Sequence, residues 1–411
     1  GGGVRIGWLE GHWPRPAIRW GMFGSHLSIA GSMHLALIEA ERLGLDCVQV
    51  FTKNQQQWKA PPLKPEAIAA WNAERGRLGW GTDAARGEPE RVTSHASYLI
   101  NTASPDDALR AKSIDLLRDE VERCEALGIG LLVFHPGAHT GGTREEGIER
   151  IAHACSTIIA QTSGYATVMC FENVAGAGTT IGRTLEELAA LRARAVDLGA
   201  PPERLGFCID TCHAHAAGYD LSTPGRAAEF MAALDSVVGF SSVRCLHVND
   251  SRGPCGSRLD RHEHIGRGTI GAAAGGGFGA IVGHPSMARV PKIMETPKGD
   301  DPSGVNWDTI NVSALRALAS GESLQTASQA TATSGGAAPV APESSPILRA
   351  KAKRVGKAKA VGEASPPARA TFGATKRATR RRAAITGGGG STPARRAQAA
   401  RRPRAKAKRR R

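Results

Sequence analysis

The chain has 411 residues, of which 41% are hydrophobic and 22% charged, an ordinary composition for a globular protein with a large core. No stretch of 18 apolar residues occurs, which argues against a membrane span. The formal net charge of +15 is concentrated at one end, because residues 325–411 contain 22 Lys and Arg but two acids. Residues 1–324 carry 31 basic and 36 acidic side chains, so the positive net charge belongs to the C-terminal residues and not to the part predicted to fold.

The chain begins with an irregular segment and then becomes periodic. Residues 1–20 are interpreted as a leader, and the Gly-Gly-Gly start without Met is typical of a fragment or processed form. From residue 21, short apolar or β-branched runs alternate with segments rich in Ala, Leu, Glu and Arg. The predicted strands are residues 20–28, 46–52, 91–97, 130–135, 166–173, 205–210, 243–249 and 290–296. The clearest helices between them are predicted at 106–127, 144–162 and 184–198.

Polar residues end successive predicted strands at a regular spacing. They are His95, His135, Glu172, Asp210 and His247, separated by 40, 37, 38 and 37 residues. A strand, a helix and two short loops need about that length, so residues 21–318 are predicted to form an α/β fold, a closed parallel (β/α)8 barrel. An open doubly wound sheet is the alternative, although no Gly-rich phosphate motif follows the first strand. Residues 271–283, with three consecutive glycines, are a weak seventh helix.

The C-terminal residues 325–411 differ in composition from the rest of the chain. They are rich in Ala, Ser, Thr, Gly, Lys and Arg, which predicts a disordered, low-complexity basic tail. Basic clusters at 351–359, 376–382 and 401–411 favour a nuclear-targeting or DNA-tethering arm, and a solubilising extension is the alternative. The basic tail favours the nucleus, and the mitochondrion is the alternative. The eight cysteines form no CxxC pair, which indicates buried reduced thiols in an intracellular protein.

Nine histidines and carboxylates have the ligand chemistry of a divalent-metal site. They are His95, His135, Glu172, Asp210, His213, His247, Asp260, His262 and Glu295. Imidazole and carboxylate suit zinc or a similar ion. Taken singly, a histidine after an apolar strand can be a hydrogen-bonded core residue, and Asp210 can cap the helix that follows it. Together at the strand ends, however, so many ionisable groups would be costly to bury without metal.

The local sequence around these residues resembles that of the endonuclease IV family of apurinic/apyrimidinic (AP) endonucleases, over residues 24–296. The matching strings are GSHLS at 24–28, FTKNQ at 51–55, SYLIN at 97–101, residues 208–220 and GSRLDRHEHIG at 256–266. The resemblance implies a TIM barrel with three zinc ions, which manganese could partly replace. It places His95, His135 and Glu172 on one ion, and Glu172, Asp210, His247 and Glu295 on a second. His213, Asp260 and His262 would hold the third.

The resemblance also implies an activity and a partner. A monomer would bind double-stranded DNA and hydrolyse the phosphodiester 5′ to an abasic site, with Glu172 essential to catalysis. The products would be a 3′ hydroxyl and a 5′ deoxyribose phosphate, and damaged 3′ ends would be trimmed as well. Tyr98 and Leu99 match residues that enter the duplex, although Tyr98 could instead be a core aromatic. Gln56 stands where the family usually has arginine, which predicts weaker binding.

Two other functional classes remain as alternatives. A metal-dependent sugar isomerase of related barrel architecture also places His, Asp and Glu at strand ends, but it has no need for the cluster of His213, Asp260 and His262. A non-enzymatic DNA-binding protein on an inactive barrel would lack some of the ligands, and none is missing from this sequence.

Overall fold

The computed structural model describes residues 21–81 and 89–324. The predicted leader, residues 1–20, and the predicted basic tail, residues 325–411, lie outside the described residues. In the part of the chain that is described, no helix has the length and apolar character needed to cross a membrane.

Eight parallel strands close into a barrel, which confirms the predicted (β/α)8 TIM-barrel fold. They are β1 (Met22–His26), β2 (Cys47–Val50), β3 (Val92–His95), β4 (Leu131–Phe134), β5 (Val168–Glu172), β6 (Leu205–Asp210), β7 (Val243–His247) and β10 (Pro291–Met294). Their order around the barrel is β1-β10-β7-β6-β5-β4-β3-β2, closed by the pairing of β1 with β2. A separate antiparallel pair, β8 (Asp250–Ser251) and β9 (His262–Glu263), lies between β7 and β10 in the chain.

Helices connect the strands within the described ranges. They are α1 (His34–Arg42), α2 (Pro65–Arg77), α3 (Asp107–Leu127), α4 (Arg144–Gln161), α5 (Leu185–Asp197), α6 (Thr211–Ala217), α7 (Pro224–Val237), α8 (Phe278–Val282) and α9 (Trp307–Ala319). The predicted starts of three helices fall on or beside capping residues, because Asp106, Thr143 and Thr184 each accept a hydrogen bond from the first turn. The predicted strands were one or two residues too long at most ends.

The side chains that face the barrel axis alternate along each strand. A cluster of buried apolar residues fills the axis, and it includes Met22, Cys47, Val133, Cys170, Cys208, Cys245 and Ile293. Two residues after each of the last five comes a polar side chain in the same phase of the strand: His135, Glu172, Asp210, His247 and Glu295. The barrel therefore has an apolar floor beneath a polar mouth at the carboxyl ends of its strands. Seven of the eight cysteines are buried, and Cys255 is exposed.

The segment between β9 and α8 is organised by one carboxylate instead of by a long helix. Asp250 accepts hydrogen bonds from the backbone N–H groups of Gly266, Gly268, Ile270 and Gly271 at 3.0–3.3 Å. The absent side chains of Gly268 and Gly271 permit this approach, since an added Cβ would lie 2.5–2.6 Å from the Asp250 carboxylate oxygens. The weak seventh helix predicted from the glycine run is the five-residue α8.

Replacement of Asp250 by Asn should destabilise the protein by about 2–4 kcal/mol, because the amide presents N–H donors to backbone N–H donors that are buried. The free energy of unfolding in urea measures the change. Asp235→Asn is the matched control, since its carboxylate accepts one exposed N–H, from Phe240, and it should cost less than about 1 kcal/mol. Equal stability of the two variants would contradict this organising role of Asp250.

Candidate metal centre

All nine candidate ligands converge at the mouth of the barrel. Five of them end or directly follow β3 to β7, and Glu295 follows β10. The others come from α6, from the loop between β8 and β9, and from β9 itself: His213, Asp260 and His262. Because the carboxyl ends of parallel strands meet at one rim, residues 200 positions apart in sequence become neighbours.

The first cluster comprises His95, His135 and Glu172, whose ligand atoms lie within 4.8 Å of one another. Nε2 of His95 lies 3.1 Å from Glu172 Oε2, and Nε2 of His135 lies 3.2 Å from the same oxygen. His95 and Glu172 are fully buried, whereas His135 is about one-third exposed. The cluster is therefore open to the mouth on the side of His135.

The second cluster comprises Glu172, Asp210, His247 and Glu295, again within 4.8 Å of one another. His247 Nδ1 is 2.9 Å from Glu172 Oε1, 3.3 Å from Glu295 Oε2 and 3.9 Å from Asp210 Oδ2. Glu172 thus directs one oxygen to each of the first two clusters. A carboxylate that presents its two oxygens to two groups of ligands can bridge two ions.

The third cluster comprises Asp210, His213 and His262, together with Asp260. Asp260 Oδ1 lies 3.3 Å from Nε2 of His213 and 3.4 Å from Nε2 of His262. Asp210 Oδ2 lies 3.7 Å from that same nitrogen of His262. Since the Asp260 side chain is half exposed, this cluster is the one nearest to solvent.

Asp210 also caps helix α6, as the alternative interpretation of this residue predicted. Its Oδ1 accepts a hydrogen bond of 2.8 Å from the backbone N–H of His213, and its Oδ2 accepts one of 2.7 Å from the side chain of Asn249. The two roles are compatible, because the cap uses one oxygen and the other faces the second and third clusters.

Hydrogen bonds orient the rings of four of the five candidate histidines, so that one nitrogen of each ring faces its cluster of ligands. Backbone carbonyls hold three of these rings, and Gln49, described below, holds the fourth, His247. The opposite nitrogens of His95 and His213 donate to the carbonyl oxygens of Ala96 and Asn173, at 2.7 and 2.9 Å. His262 donates likewise to the carbonyl oxygen of Glu295, at 3.1 Å, and its Nε2 is buried without a hydrogen-bond partner. Metal-binding imidazoles are commonly held in this way. The residues present therefore fit divalent cations in all three clusters.

The charge balance of the centre also calls for cations. Its four carboxylates are Glu172, Asp210, Asp260 and Glu295, and the first two are completely buried. Burial opposes ionisation of Glu172, yet His247 and His135 hold the pKa of that carboxyl well below its ordinary value. Burial likewise disfavours the charged ring of His247, but Glu295 and Glu172 raise its pKa well above the ordinary value. Both shifts show that the buried carboxylates of the centre favour positive charge beside them.

A second layer of polar residues was not predicted from the sequence. Gln49, on β2, accepts a hydrogen bond from His247 Nε2 at 2.9 Å and donates one to Glu295 Oε1 at 2.7 Å. His26, at the end of β1, lies 3.0 Å from the Gln49 amide nitrogen and 3.4 Å from Glu295. The available signal was the alternation along β2, which places Gln49 in the same phase as the axis-facing Cys47.

The residues that resemble DNA-inserting positions lie on two adjoining loops at the rim. The Tyr98 side chain is 58% exposed, with its ring against His95 and Phe51 at centroid distances of 5.1 and 5.8 Å. The interpretation of Tyr98 as a core aromatic is therefore wrong. Leu99 is half-buried beside it, and Gln56 is exposed on the neighbouring loop.

These two loops are fixed to each other and to α3. The Ser97 hydroxyl donates to the carbonyl oxygen of Gln55 at 2.5 Å, and the Ser97 N–H donates to Glu120 at 3.1 Å. Lys53 is buried near the same Glu120 carboxylate and donates to the carbonyl oxygen of Gln57 at 3.3 Å. The loops therefore present a firmly held surface at the entrance to the centre.

Comparisons with known proteins agree with this geometry. Residues 37–275 match the family described as xylose isomerase-like TIM barrel. The chain is 44% identical to a probable endonuclease 4 of Chloroflexus aurantiacus, over 73% of this chain and 98% of that relative. It is 42% identical to a probable endonuclease 4 of Geobacter sulfurreducens, over 72% of this chain and 93% of the relative. The crystal structure of endonuclease IV from Thermus thermophilus is 34% identical, with a TM-score of 0.60 over 73% of this chain and 99% of that one.

Replacement of Gln49 by Leu should weaken divalent-cation binding about 10- to 100-fold, because His247 and Glu295 lose the group that orients them. Competition with a chromophoric chelator measures the affinity, and circular dichroism checks that the fold is retained. Gln161→Leu, at the last position of α4, is the matched control and should bind metal like the unmodified protein. If the Gln49 variant binds metal equally well, Gln49 does not orient the ligands.

Proposed function

Because the chain belongs to the endonuclease IV family, built on the xylose isomerase-like TIM barrel, we propose that it is a metal-dependent AP endonuclease of DNA base-excision repair. It cleaves the phosphodiester 5′ to an abasic site. Water hydrolyses the bond between phosphorus and the 3′ oxygen: its oxygen bonds to phosphorus and the 3′ oxygen leaves with a proton. The products are a 3′ hydroxyl and a 5′ deoxyribose phosphate. The observation that carries the proposal is the third cluster, with Asp260 and His262 beside the first two.

Nine side chains would hold three divalent cations, with zinc as the ion that suits imidazole and carboxylate ligands best. When bound, such ions supply positive charge to phosphate oxygens and activate the attacking water. Glu172 would be the shared ligand of the first and second clusters, as the positions of its two oxygens support. Manganese could replace part of the zinc.

The protein's own groups would position the substrate around this charge. His135 and Asp260 are the most exposed of the ligands, so a phosphate would enter the centre from their side. Asn249 and Gln49 hold the carboxylates of Asp210 and Glu295 in place through their amides. Because these supports are buried or nearly so, they need not reorganise when negative charge develops on the phosphate.

Binding of a duplex would use the two rim loops. An abasic nucleotide has no base to unstack, so it can leave the helix at reduced cost. Tyr98 offers an exposed aromatic ring for stacking, and Leu99 and Gln56 would occupy the space left in the duplex. Because Gln56 is neutral, the pair formed by Leu99 and Gln56 lacks a charge with which to contact phosphate.

The basic tail would add a contact that does not depend on DNA sequence. Its 22 Lys and Arg can each neutralise a phosphate, whereas residues 1–324 carry a small net negative charge. The tail would tether the enzyme, acting as a monomer, to DNA. Nuclear targeting is a further proposed use of the same clusters.

A sugar isomerase is the second candidate, since the family description covers xylose isomerase-like barrels. An isomerase of this kind would use metal at the strand ends but would have no need for His213, Asp260 and His262 as ligands. Zinc content separates the two proposals, with at least three ions per chain expected for the nuclease.

The full-length protein should incise a duplex that contains one tetrahydrofuran abasic analogue, once, 5′ to the lesion, leaving a 3′ end that a polymerase extends. Glu172→Gln should lower the rate at least about 1000-fold, because both shared clusters lose a charged ligand. Gel analysis of end-labelled strands measures the cut.

Glu149→Gln is the matched control, because this exposed carboxylate on α4 pairs with Arg194 away from the candidate ligands. It should cut at the unmodified rate. An analogue duplex left intact by the unmodified protein would refute the proposed activity, and a β-elimination lyase is excluded by design because the analogue has no aldehyde.

Replacement of Gln56 by Arg should raise affinity for an abasic duplex roughly 3- to 10-fold at low salt, because the loop gains a charge that contacts phosphate. The logarithm of the binding constant should fall more steeply with the logarithm of salt concentration, by about 0.9. Fluorescence anisotropy measures both. Gln161→Arg adds the same charge at the end of α4, so unchanged binding is expected there; equal gains from both variants would show that Gln56 does not face DNA.

A further inference from the structure

A separate group of metal-ligand side chains lies beside the candidate metal centre. It comprises His215, Asp220 and Cys255, whose ligand atoms all lie within 4.8 Å of one another. His215 is in the last turn of α6, Asp220 follows that helix, and Cys255 is in the loop between β8 and β9. The three clusters described above use other residues, so this group has no role in the proposed hydrolysis.

Backbone hydrogen bonds hold the three segments together. The N–H of Gly256 donates to the carbonyl oxygen of His215 at 3.0 Å, and the N–H of Arg258 donates to that of Ala216 at 2.9 Å. The loop that carries Cys255 is therefore bonded to the last turn of α6, where it satisfies the Ala216 carbonyl and shares the His215 carbonyl with the N–H of Gly218. These main-chain contacts bring Cys255 to the end of the helix.

The distance between two of the ligand atoms is close to the distance between ligands of a tetrahedrally coordinated ion. Ligands at 2.0–2.3 Å from zinc stand about 3.5 Å apart. His215 Nδ1 lies 4.0 Å from Asp220 Oδ1, so a small inward movement would suffice. The N–H of Leu221 donates to the same Nδ1 at 3.2 Å, and ligation through this nitrogen would replace that hydrogen bond.

The three side chains differ in their exposure to solvent. The His215 ring is buried, Asp220 is half-buried and Cys255 is exposed. One imidazole, one carboxylate and one thiolate form a ligand set that suits zinc, and the exposed side leaves a fourth position for water. The catalytic ligand set contains no sulfur, so the two kinds of site can be distinguished spectroscopically.

We propose that His215, Asp220 and Cys255 form a fourth zinc site that fastens the loop of residues 252–261 to α6. When the ion binds, the Cys255 thiol gives its proton to solvent and the sulfur becomes a thiolate ligand. The same loop leads to Asp260, so the ion would hold this ligand's loop against the helix that carries His213. The site uses none of the catalytic ligands, and the inference rests on the proposed function only in that its tests count metal equivalents beyond the three proposed there.

The reactivity of Cys255 provides the first test on the full-length protein. Because the other seven cysteines are buried, Cys255 should be the one thiol that reacts rapidly with an aromatic disulfide reagent. After three equivalents of zinc have filled the catalytic clusters, a fourth equivalent should slow this reaction at least about 10-fold. His215→Asn and Asp220→Asn should each abolish the protection, whereas Asp235→Asn should retain it. Unchanged reactivity after the fourth equivalent would overturn the proposal.

Cobalt provides the second test, because sulfur ligation gives a thiolate-to-cobalt charge-transfer band that imidazole and carboxylate ligands do not. The band should appear with cobalt beyond the third equivalent and disappear in Cys255→Ser. If no band appears, the thiol is not a ligand. A band that persists in Cys255→Ser would also overturn the proposal, since it would assign the sulfur to Cys208 and Cys245, which lie with His247 in the barrel.

Discussion

The carboxylate of Glu172 is completely buried at the mouth of the barrel, and its two oxygens face histidines from three other strands. Removal of such a charge from water is costly, so the surroundings must supply positive charge or protons. The other ligands follow from this requirement, because His95, His135 and His247 each lie within 3.2 Å of it. Asp210 and Glu295 add further negative charge, which makes a site for several cations the consistent solution.

The barrel itself provides the precision that this centre needs. Six of the nine ligands come from the last residue of a barrel strand or from the residue directly after it, and the apolar layer below excludes water from their base. Second-layer groups then fix four of the five rings: backbone carbonyls hold His95, His213 and His262, and Gln49 holds His247. The scaffold and the site are thus one hydrogen-bonded unit, with little freedom left for the ligands.

The barrel and the ligands at its strand ends could be predicted because strands that end in polar residues repeat along the chain. His213, Asp260 and His262 follow no such repeat, and their grouping was implied by the family resemblance. Gln49 could not be predicted, since a single polar residue inside an apolar strand gives no indication of the partners that lie across the barrel. Asp250 was missed for a different reason: it binds backbone N–H groups 16–21 residues later, and backbone groups leave no mark in the sequence. Cys255 differed from the expectation of a buried thiol because its loop is positioned by main-chain contacts to α6.

Asp210 is both a candidate ligand and the N-cap of α6, so the site and this helix depend on each other. One of its oxygens is fixed by the start of α6 and the other by the amide of Asn249, so the pocket keeps its shape through bonds within the chain. The place of this candidate ligand is therefore set by the same hydrogen bond that begins α6, and a change that frays the first turn of the helix would also displace Asp210 from the rim.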